Sequence, residues 1–403
     1  MKAILVQVQF QNEEKSLVEL EALCQACHID VDQEFIQKRE KIDVATYIGK
    51  GKVQEIKRSI TYQDMVIFDD ELSPLQIRNL TDILGIEVTD RTDLILRIFD
   101  QRAKTKEAKL QIEIARYLYL LPRLIGMQEH LSHQQGGSGF RGRGEKQIEL
   151  DRRLISRKLT KAKKELADIV KQRQTQRQRR KQNDMPVIAL VGYTNSGKST
   201  LMNAFCLEDK QKVLQQDMLF ATLQTATRHI SIHHHPCLLT DTVGFIDRLP
   251  HHLVQAFRST LEEVKEADLL LHVIDISQPN YMQHISTTNE VLRSLGVVDT
   301  PVIYVYNKID LNRVWFPPQE PCVYISAKDK KGLDELENEI SHILFKDYEV
   351  YELNIPYENG EVFNYLHHHC LVVEFKYLQE SIYIKVEAKR KEIQPYRQYI
   401  LKH

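Results

Sequence analysis

The sequence from Gly192 to Ser199 is GYTNSGKS, and this stretch decides the fold. It fits the pattern G-x-x-x-x-G-K-[ST], in which glycines let backbone N–H groups turn inward around phosphate oxygens. The apolar run Val187–Val191 precedes the loop, and residues 200–206 are predicted to form a helix whose N-terminus favours negative charge. In this pattern Lys198 contacts the β- and γ-phosphates, and the Ser199 hydroxyl binds Mg²⁺. The stretch predicts an α/β domain that binds a nucleoside triphosphate, and leaves the base open.

Three short motifs farther along the chain indicate that the base is guanine. Asp241-Thr242-Val243-Gly244 ends the next apolar run, where a carboxylate can hold Mg²⁺ through water and the glycine N–H can approach the γ-phosphate. Asn307-Lys308-Ile309-Asp310 ends a predicted strand, and the Asp310 carboxylate can accept the paired N1–H and N2–H₂ donors of guanine, which adenine lacks. Ser326-Ala327-Lys328 follows one more strand, where the alanine N–H is expected to contact the guanine oxygen. Each motif is weak alone, and its position at the C-terminal end of a strand gives it weight.

The predicted nucleotide site gathers these motifs and the segment 220–228, FATLQTATR. The expected nucleotide-binding residues are Gly192, Tyr193, Thr194, Asn195, Ser196, Gly197, Lys198, Ser199, Thr200, Phe220, Ala221, Thr222, Leu223, Gln224, Asp241, Thr242, Val243, Gly244, Asn307, Lys308, Asp310, Ser326, Ala327 and Lys328. The expected catalytic residues are Lys198, Thr222 and Gly244, and the expected Mg²⁺ ligands are Ser199, Thr222 and Asp241. Thr222 is a choice among three threonines, because Thr225 or Thr227 could also reach the metal and the γ-phosphate.

The residue after Gly244 is Phe245, where small Ras-type GTPases keep a glutamine that orients the attacking water. An apolar ring cannot orient water. Slow intrinsic hydrolysis is therefore expected, with the missing group supplied by the backbone, a cation or a partner. Asn195 suggests K⁺ as a second cofactor beside the phosphates, as in some GTPases with asparagine at this loop position.

Length and local charge divide the rest of the chain. At 403 residues it is too long for one core, and its net charge of −1 hides 16 Lys and Arg against 6 Asp and Glu between Arg141 and Asp184. The two helices of a predicted hairpin run from about Thr105 to Leu121 and from Glu145 to about Lys181, and residues 171–181 are expected to fray into a linker. We expect an N-terminal α/β domain at 1–104, the helical hairpin at 105–185 with a glycine-rich loop at 136–144, a P-loop GTPase domain at 186–346 with a mostly parallel sheet and helices on both faces, and a small α+β domain at 347–403.

The cysteines and histidines are not expected to bind a metal or a haem. Cys24-x-x-Cys27-His28 matches a haem-attachment pattern and half of a zinc site, but neither an export signal nor a second pair accompanies it, so an apolar helical face is favoured. The histidines at 233–235, 251–252 and 367–369 are placed in loops or hairpins as exposed residues rather than as metal ligands. A cytoplasmic location is expected, because the sequence shows no signal peptide, no apolar run that could span a membrane and no disulfide framework.

Further segments lie outside the nucleotide motifs. They are Tyr47-Ile48-Gly49-Lys50-Gly51-Lys52, Glu71-Leu72-Ser73-Pro74, Asp90-Arg91-Thr92-Asp93-Leu94-Ile95-Leu96, Ile98-Phe99, Gln101-Arg102-Ala103, Leu120-Leu121-Pro122-Arg123-Leu124, the loop 136–144 with Glu145, and Asp151-Arg152-Arg153. Together with the nucleotide motifs they resemble the HflX family of translational GTPases over about residues 1–345. This chain departs from the family pattern at two places. Where the family has Leu-Asp-Pro-Thr-Thr-Arg, this chain has Leu223-Gln224-Thr225-Ala226-Thr227-Arg228. Where the family has Gly-Pro-Gly-Glu-Thr, it has Gly142-Arg143-Gly144-Glu145-Lys146. The loss of the acid and the proline predicts a looser switch with an altered nucleotide response, as in a divergent paralogue.

The resemblance implies a GTPase that binds the large ribosomal subunit, splits or rescues stalled ribosomes, and reaches ribosomal RNA with its N-terminal domain and glycine-rich loop. The expected RNA contacts are Arg141, Arg143, Arg152 and Arg153, since a basic hairpin suits phosphates; the alternative is a solvated charged helix. The expected partners are GTP, GDP and the ribosome. Neither DNA nor a membrane is expected as a partner, and the protein is expected to be a monomer. The rival function is an RNA-binding module whose nucleotide site is slow or only structural. A tRNA-modification or metal-transport GTPase is disfavoured, because neither a cysteine catalytic segment nor a membrane span is found.

Overall fold

The computed structural model describes residues 1–10, 17–134, 143–181, 185–206, 226–247, 253, 264–311 and 319–401. Within these ranges the backbone alone is described for 125–134, 143–147 and 173–181. Three β-sheets and a pair of long helices make up this part of the chain.

A four-stranded parallel sheet lies at the N-terminus, in the order β2-β1-β3-β4. Its elements along the chain are β1 (Lys2–Gln9), α1 (Val18–Ala26), β2 (Asp30–Lys38), α2 (Lys50–Ser59), β3 (Met65–Phe68), α3 (Pro74–Leu84), β4 (Glu87–Asp90) and α4 (Arg91–Arg102). Successive residues of β1 enter different cores, with Leu5 on one face and Ile4 on the other. Helices cover both faces, which is why the central strands are apolar at almost every position.

The sequence predicted only part of this sheet. The apolar run Met65–Phe68 predicts a strand, and β3 has these bounds. Ser73-Pro74 predicts the start of a helix, and α3 begins there with a capping box, in which Ser73 and Gln76 each accept the other's backbone N–H. The elements β2, α2, β4 and α4 were not predicted. Strand β2 is half exposed and has the sequence DVDQEFIQK, in which charged residues hide the alternation that marks a strand.

Helices α5 (Lys106–Gln134) and α6 (Arg143–Lys181) form the predicted hairpin. Ala162 is buried against α5, and Leu159, Leu166 and Ile169 pack at the same seam, as their heptad-like spacing indicated. The predicted end of the first helix at Leu121 is wrong, because α5 continues through Pro122. A proline removes one helical donor and disfavours the helix, but packing of a long apolar face more than offsets that local cost.

Two boundaries of the second helix also need correction. Residues 171–181 were expected to fray, yet α6 remains helical to Lys181. This segment is rich in the good helix formers Lys, Arg and Gln and contains neither glycine nor proline. It therefore continues a helix whose earlier residues pack against α5. Arg143 and Gly144 were assigned to the glycine-rich loop, but they lie in the first turn of α6. The remainder of that loop, including Arg141, lies outside the described residues.

A six-stranded sheet follows, in the order β10-β9-β8-β5-β7-β6. Its elements are β5 (Val187–Val191), α7 (Lys198–Phe205), β6 (Ala226–Ile232), β7 (His235–Asp241), β8 (Leu269–Asp275), α8 (Tyr281–Ser294), β9 (Val302–Asn307), β10 (Cys322–Tyr324) and α9 (Leu333–Leu344). All neighbours are parallel except β6 and β7. Separate apolar cores on its two faces confirm the predicted P-loop fold with helices on both sides.

The third sheet is antiparallel, with the order β11-β13-β12. Its elements are β11 (Tyr348–Pro356), α10 (Gly360–His369), β12 (Leu371–Tyr377), β13 (Ser381–Lys389) and α11 (Arg390–Ile393). The strand-like runs Cys370–Tyr377 and Ser381–Ala388 predict a β-hairpin, which corresponds to β12 and β13, whereas the strand β11 was not predicted. The domain boundaries proposed from the sequence stay predictions.

The histidine groups differ from expectation in two places. His367–His369 end helix α10 instead of lying in a loop or hairpin. His235 is buried rather than exposed: its ring stacks on Phe345 and its Nε2 lies 3.2 Å from Glu387 Oε2. The pair 251–252 lies outside the described residues. Among the residues that are described, no group of three or more His, Cys, Asp or Glu side chains could hold a metal, and no helix is long and apolar enough to cross a membrane.

Candidate nucleotide site

The phosphate-binding loop connects β5 to α7, and two glycines make its shape possible. Gly192 has φ 142°, and a Cβ there would lie 2.3 Å from the Val273 carbonyl oxygen of the neighbouring strand. Gly197 has φ 96°, and a Cβ there would lie 2.2 Å from Asn307 Nδ2. Because these are positive-φ positions without room for a side chain, the spacing of the two glycines is a requirement of the backbone.

Two backbone carbonyls hold Lys198 inside the loop. Its Nζ donates to the carbonyl oxygens of Gly192 at 3.0 Å and Tyr193 at 2.6 Å. Burial lowers the pKa of Lys198 to about 8, and the nearby Asp241 carboxylate only partly opposes this shift. An ammonium group that loses hydration without gaining a full counter-charge is prepared for an anion.

Ser199 and Asp241 meet at the end of the loop. The Ser199 hydroxyl donates to Asp241 Oδ2 at 2.7 Å, and Asp241 is fully buried at the C-terminal end of β7. A hydroxyl and a carboxylate are oxygen ligands of the kind that Mg²⁺ prefers, so this donor set fits the ion. In the same loop, the hydroxyls of Thr194 and Ser196 are buried and lack hydrogen-bond partners among the described residues, which leaves capacity for an oxygen-rich ligand.

The segment after Asp241 lies directly against the phosphate-binding loop. The Thr194 N–H donates to the Phe245 carbonyl at 2.7 Å, and the Phe245 N–H donates to the Gly192 carbonyl at 3.1 Å. A Cβ on Gly244 would lie 2.9 Å from Thr194 Cα and 3.0 Å from Lys198 Nζ. The Phe245 ring is buried in a core on one face of the sheet, so it cannot orient a water molecule beside the phosphates.

A single side chain connects the predicted base site to the phosphate-binding loop. Asn307 Nδ2 donates to the Ser196 carbonyl at 2.9 Å, and Asn307 Oδ1 accepts from the Ala327 N–H at 3.0 Å. Asp310 Oδ1 accepts from the Ser326 hydroxyl at 2.7 Å. The structure thus brings the predicted motifs at 307–310 and 326–328 together with the loop at 192–199.

Asp275, which the sequence analysis missed, belongs to this group. It ends β8, its Oδ2 lies 2.8 Å from Lys308 Nζ, and its Oδ1 accepts from the Ser277 N–H and hydroxyl. The available signal was a carboxylate at the end of the apolar run LLLHVID, the same position that Asp241 has after β7. Asp275 fixes the side chain of Lys308, a predicted nucleotide-binding residue.

The structure does not test every predicted site residue. The segment Phe220, Ala221, Thr222, Leu223 and Gln224, together with Thr225, lies outside the described residues. Thr227 lies in β6, with its hydroxyl 3.2 Å from that of Thr240. The predicted RNA contacts Arg152 and Arg153 lie on α6, where Arg153 forms an exposed ion pair with Glu149.

Comparison with known proteins places this geometry in a family. Three family models match the chain: "GTP-binding GTPase N-terminal" over 14–100, "GTP-binding GTPase Middle Region" over 102–180 and "50S ribosome-binding GTPase" over 187–308. The GTPase HflX of Caldanaerobacter subterraneus is 46% identical over 391 residues, which cover 96% of this chain and 91% of that protein. The chain belongs to the HflX family of GTPases.

A second curated relative agrees with that assignment. The GTPase HflX of Escherichia coli is 38% identical and covers 90% of this chain, with 87% of its own length matched. A solved structure of a GTP-binding protein from Sulfolobus solfataricus in complex with GDP is 28% identical, with 86% of this chain and 99% of that one covered and a TM-score of 0.45. As a member of the HflX family with a P-loop GTPase domain, the protein binds and hydrolyses GTP.

The first prediction concerns the close contact of Gly197 with Asn307. In the Gly197→Ala variant, the methyl group would displace the Asn307 amide and strain the backbone, at a combined cost of roughly 3 kcal/mol, or about a hundredfold in nucleotide affinity. Titration with a fluorescent GDP derivative measures the loss. The matched control is Gly296→Ala, because Gly296 has φ 75° but no atom within 4 Å of a Cβ. Equal affinities for the two variants would contradict the proposed role of this contact.

The second prediction follows from the lowered pKa of Lys198. Phosphate binds the charged form of Lys198. The affinity for GDP is therefore highest below the pKa of about 8 that Lys198 has in the free protein, and it declines as the pH rises above that value. Fluorescence titration is expected to show GDP affinity about tenfold lower at about pH 9 than at about pH 7. The Lys198→Arg variant stays charged over this range. Titration of the guanine base of GDP affects the variant and the natural protein equally. Parallel pH profiles for the variant and the natural protein would count against the lysine as the source.

Proposed function

We propose that this protein is a GTP-dependent switch that acts on the large ribosomal subunit, where it splits or rescues stalled ribosomes. The match over 187–308 to a family described as a 50S ribosome-binding GTPase carries the proposal. The basic charge of 141–184, most of which belongs to α6, supports it, because ribosomal RNA is rich in phosphate. Arg141, Arg143, Arg152 and Arg153 are the proposed RNA contacts.

In this proposal the loop at 192–199 holds the β- and γ-phosphates. Lys198 supplies a positive charge, and two backbone carbonyls fix the position of its ammonium group. The hydroxyls of Thr194 and Ser196 lie within the same loop. The N-terminus of α7 adds its dipole. These groups bind the phosphates without rearranging, which is the condition for electrostatic stabilisation of a transition state.

Guanine is bound by Asn307, Lys308 and Asp310, with the Ala327 N–H next to the base. In the structure Asp310 Oδ1 accepts from the Ser326 hydroxyl, which fixes the carboxylate whose oxygens would accept the N1–H and N2–H₂ donors of guanine. Ser199 and Asp241, with Thr222, would hold Mg²⁺. When bound, Mg²⁺ supplies positive charge to the phosphate oxygens as negative charge develops on them.

Hydrolysis in this protein needs a group that orients water, because Phe245 turns its ring into the core. The Gly244 N–H approaches the γ-phosphate, and Thr222 completes the switch. Asn195 is exposed at the rim of the loop with φ 59°, where its amide oxygen suits K⁺ as an additional source of positive charge. Slow intrinsic turnover that the ribosome stimulates is the expected consequence.

The third prediction tests the choice of base. The Asp310→Asn variant replaces two acceptors with one acceptor and one donor, so GTP affinity is expected to fall by roughly a hundredfold. Xanthosine triphosphate carries a carbonyl in place of the guanine amino group, and the variant is expected to bind it more tightly than GTP. Competition against a fluorescent GDP derivative measures both. Asp329→Asn, on the neighbouring loop, is the control and keeps the natural preference for guanine. A variant at position 310 that still prefers GTP would refute the assignment.

The fourth prediction tests action on the ribosome. Sedimentation with ribosomal subunits is expected to recover the protein with the large subunit under a GTP analogue, and in smaller amount under GDP. Gradient profiles of intact ribosomes are expected to shift toward free subunits when the analogue-bound protein is added. Ser199→Asn, which disturbs the proposed Mg²⁺ site, is expected to abolish both effects, while Ser294→Asn on α8 keeps them. Recovery that ignores the nucleotide would favour a passive RNA-binding module instead.

A further inference from the structure

The edge of the C-terminal sheet exposes a cluster of apolar side chains. Strand β12 is an outer strand of this sheet, and its Phe375 and Tyr377 are 42% and 65% exposed. Their rings lie edge to face with centroids 5.8 Å apart, and the Phe363 ring of α10 lies 5.6 Å from that of Phe375. Tyr357 and Leu378 are also exposed, and the Tyr357 hydroxyl donates to the Leu378 carbonyl at 2.6 Å. We call these five residues the aromatic patch, and an exposed apolar cluster of this kind often marks a binding surface.

Acidic side chains accompany the aromatic patch. With histidine counted as neutral, residues 357–380 contain four glutamates, all of them exposed, against one lysine. That lysine, Lys376, forms an ion pair with Glu374. This excess of negative charge repels the phosphates of RNA, although aromatic rings alone would suit stacked bases. The patch therefore suits an apolar surface that carries positive charge.

Helix α6 of the same chain carries a surface that is both apolar and basic. Leu150 and Leu154 are 57% and 51% exposed, and Arg157 and Lys161 are exposed farther along the helix. Spacings of four, three and four residues place these four side chains in one row, which we call the leucine stripe. The residues of α6 that pack against α5 lie roughly 140° farther around the helix, so the stripe faces away from the seam of the hairpin.

The aromatic patch and the leucine stripe complement each other. Each combines exposed apolar side chains with charge, which is negative at the patch and positive at the stripe. Contact between them would remove apolar surface from water and bring opposite charges together. RNA on the patch would place phosphates next to glutamates, and two patches in contact would place glutamates next to one another. The leucine stripe therefore fits the aromatic patch better than RNA or another patch does.

We propose that the aromatic patch of one copy of this chain docks on the leucine stripe of a second copy. Because each copy carries both surfaces, the contact is made twice, and two copies close into a dimer with twofold symmetry. This dimer differs from the monomer expected from the sequence. It covers the stripe, so the positive charge of Arg157 and Lys161 is not available to RNA phosphates, and the dimer is a form of the protein away from the ribosome.

Sedimentation equilibrium of the full-length protein at tens of micromolar tests this inference. The natural protein is expected to have the mass of two chains at about 0.1 M NaCl. Its dissociation constant is expected to rise about tenfold at about 0.5 M NaCl, because salt screens the charged part of the contact. Tyr377→Ser removes a ring of the patch and Leu154→Ser removes an apolar side chain of the stripe, so each variant is expected to have the mass of one chain. The matched control is Val298→Ser, which is expected to remain a dimer because Val298 is 78% exposed and belongs to neither surface.

Mixing the two variants separates docking of patch on stripe from any other dimer. The Tyr377→Ser protein keeps its stripe and the Leu154→Ser protein keeps its patch, so at higher concentration the mixture is expected to form a heterodimer through one contact, more weakly than the natural protein. The mass of one chain for the natural protein, or of two chains for either variant alone, would overturn the inference. A mixture that stays monomeric, or a dissociation constant that ignores salt, would also overturn it. If Tyr377→Ser does not fold, as judged by circular dichroism, Glu380→Lys replaces it as the patch variant.

Discussion

The nucleotide site depends on one side-chain amide, that of Asn307. It donates to the phosphate-binding loop at Ser196 and accepts from the guanine loop at Ala327, so three loops share one buried group. Gly197 must lack a side chain because Asn307 Nδ2 fills the space where a Cβ would stand. An asparagine suits this position because its amide carries a donor and an acceptor at opposite ends, which neither aspartate nor glutamine could supply in the same geometry. The distance between phosphate site and base site is therefore set before nucleotide binds.

The parallel sheet makes that arrangement possible. Asp241, Asp275 and Asn307 end the strands β7, β8 and β9, so their side chains emerge at the same edge of the sheet. Each holds a different partner: the Ser199 hydroxyl, the Lys308 ammonium and the backbone of two loops. Polar groups that would be costly to bury alone are satisfied by one another. The site is a consequence of strand order as much as of motif sequence.

Sequence reasoning succeeded where local patterns are strong and failed where the tertiary structure decides. Apolar runs predict the strands Met65–Phe68 and Val187–Val191, and the last helix of the GTPase domain is predicted at Leu333–Leu344; all three have these bounds in the structure. Strand β2 was missed because one half of it faces solvent with charged residues. Burial of His235 could not be foreseen, since its partners Phe345 and Glu387 come from distant parts of the chain. Asp275 was missed for a different reason: a single carboxylate after a strand has no motif until Lys308 is seen beside it.

Tyr193 connects the phosphate-binding loop to the N-terminal sheet. The motif could not predict this contact, because it leaves that position unspecified. Its carbonyl accepts from Lys198 Nζ while its hydroxyl binds Glu19, so the phosphate-binding lysine and the N-terminal helix contact opposite ends of one residue. The aromatic ring between these two hydrogen bonds has few rotamers, so it holds the contact at a lower entropic cost than a long flexible side chain would. Moving the N-terminal sheet away from the phosphate-binding loop would break this partly buried, charge-assisted hydrogen bond. Such bonds are costly to leave unmade, so this contact stabilises the position of the N-terminal sheet beside the nucleotide site.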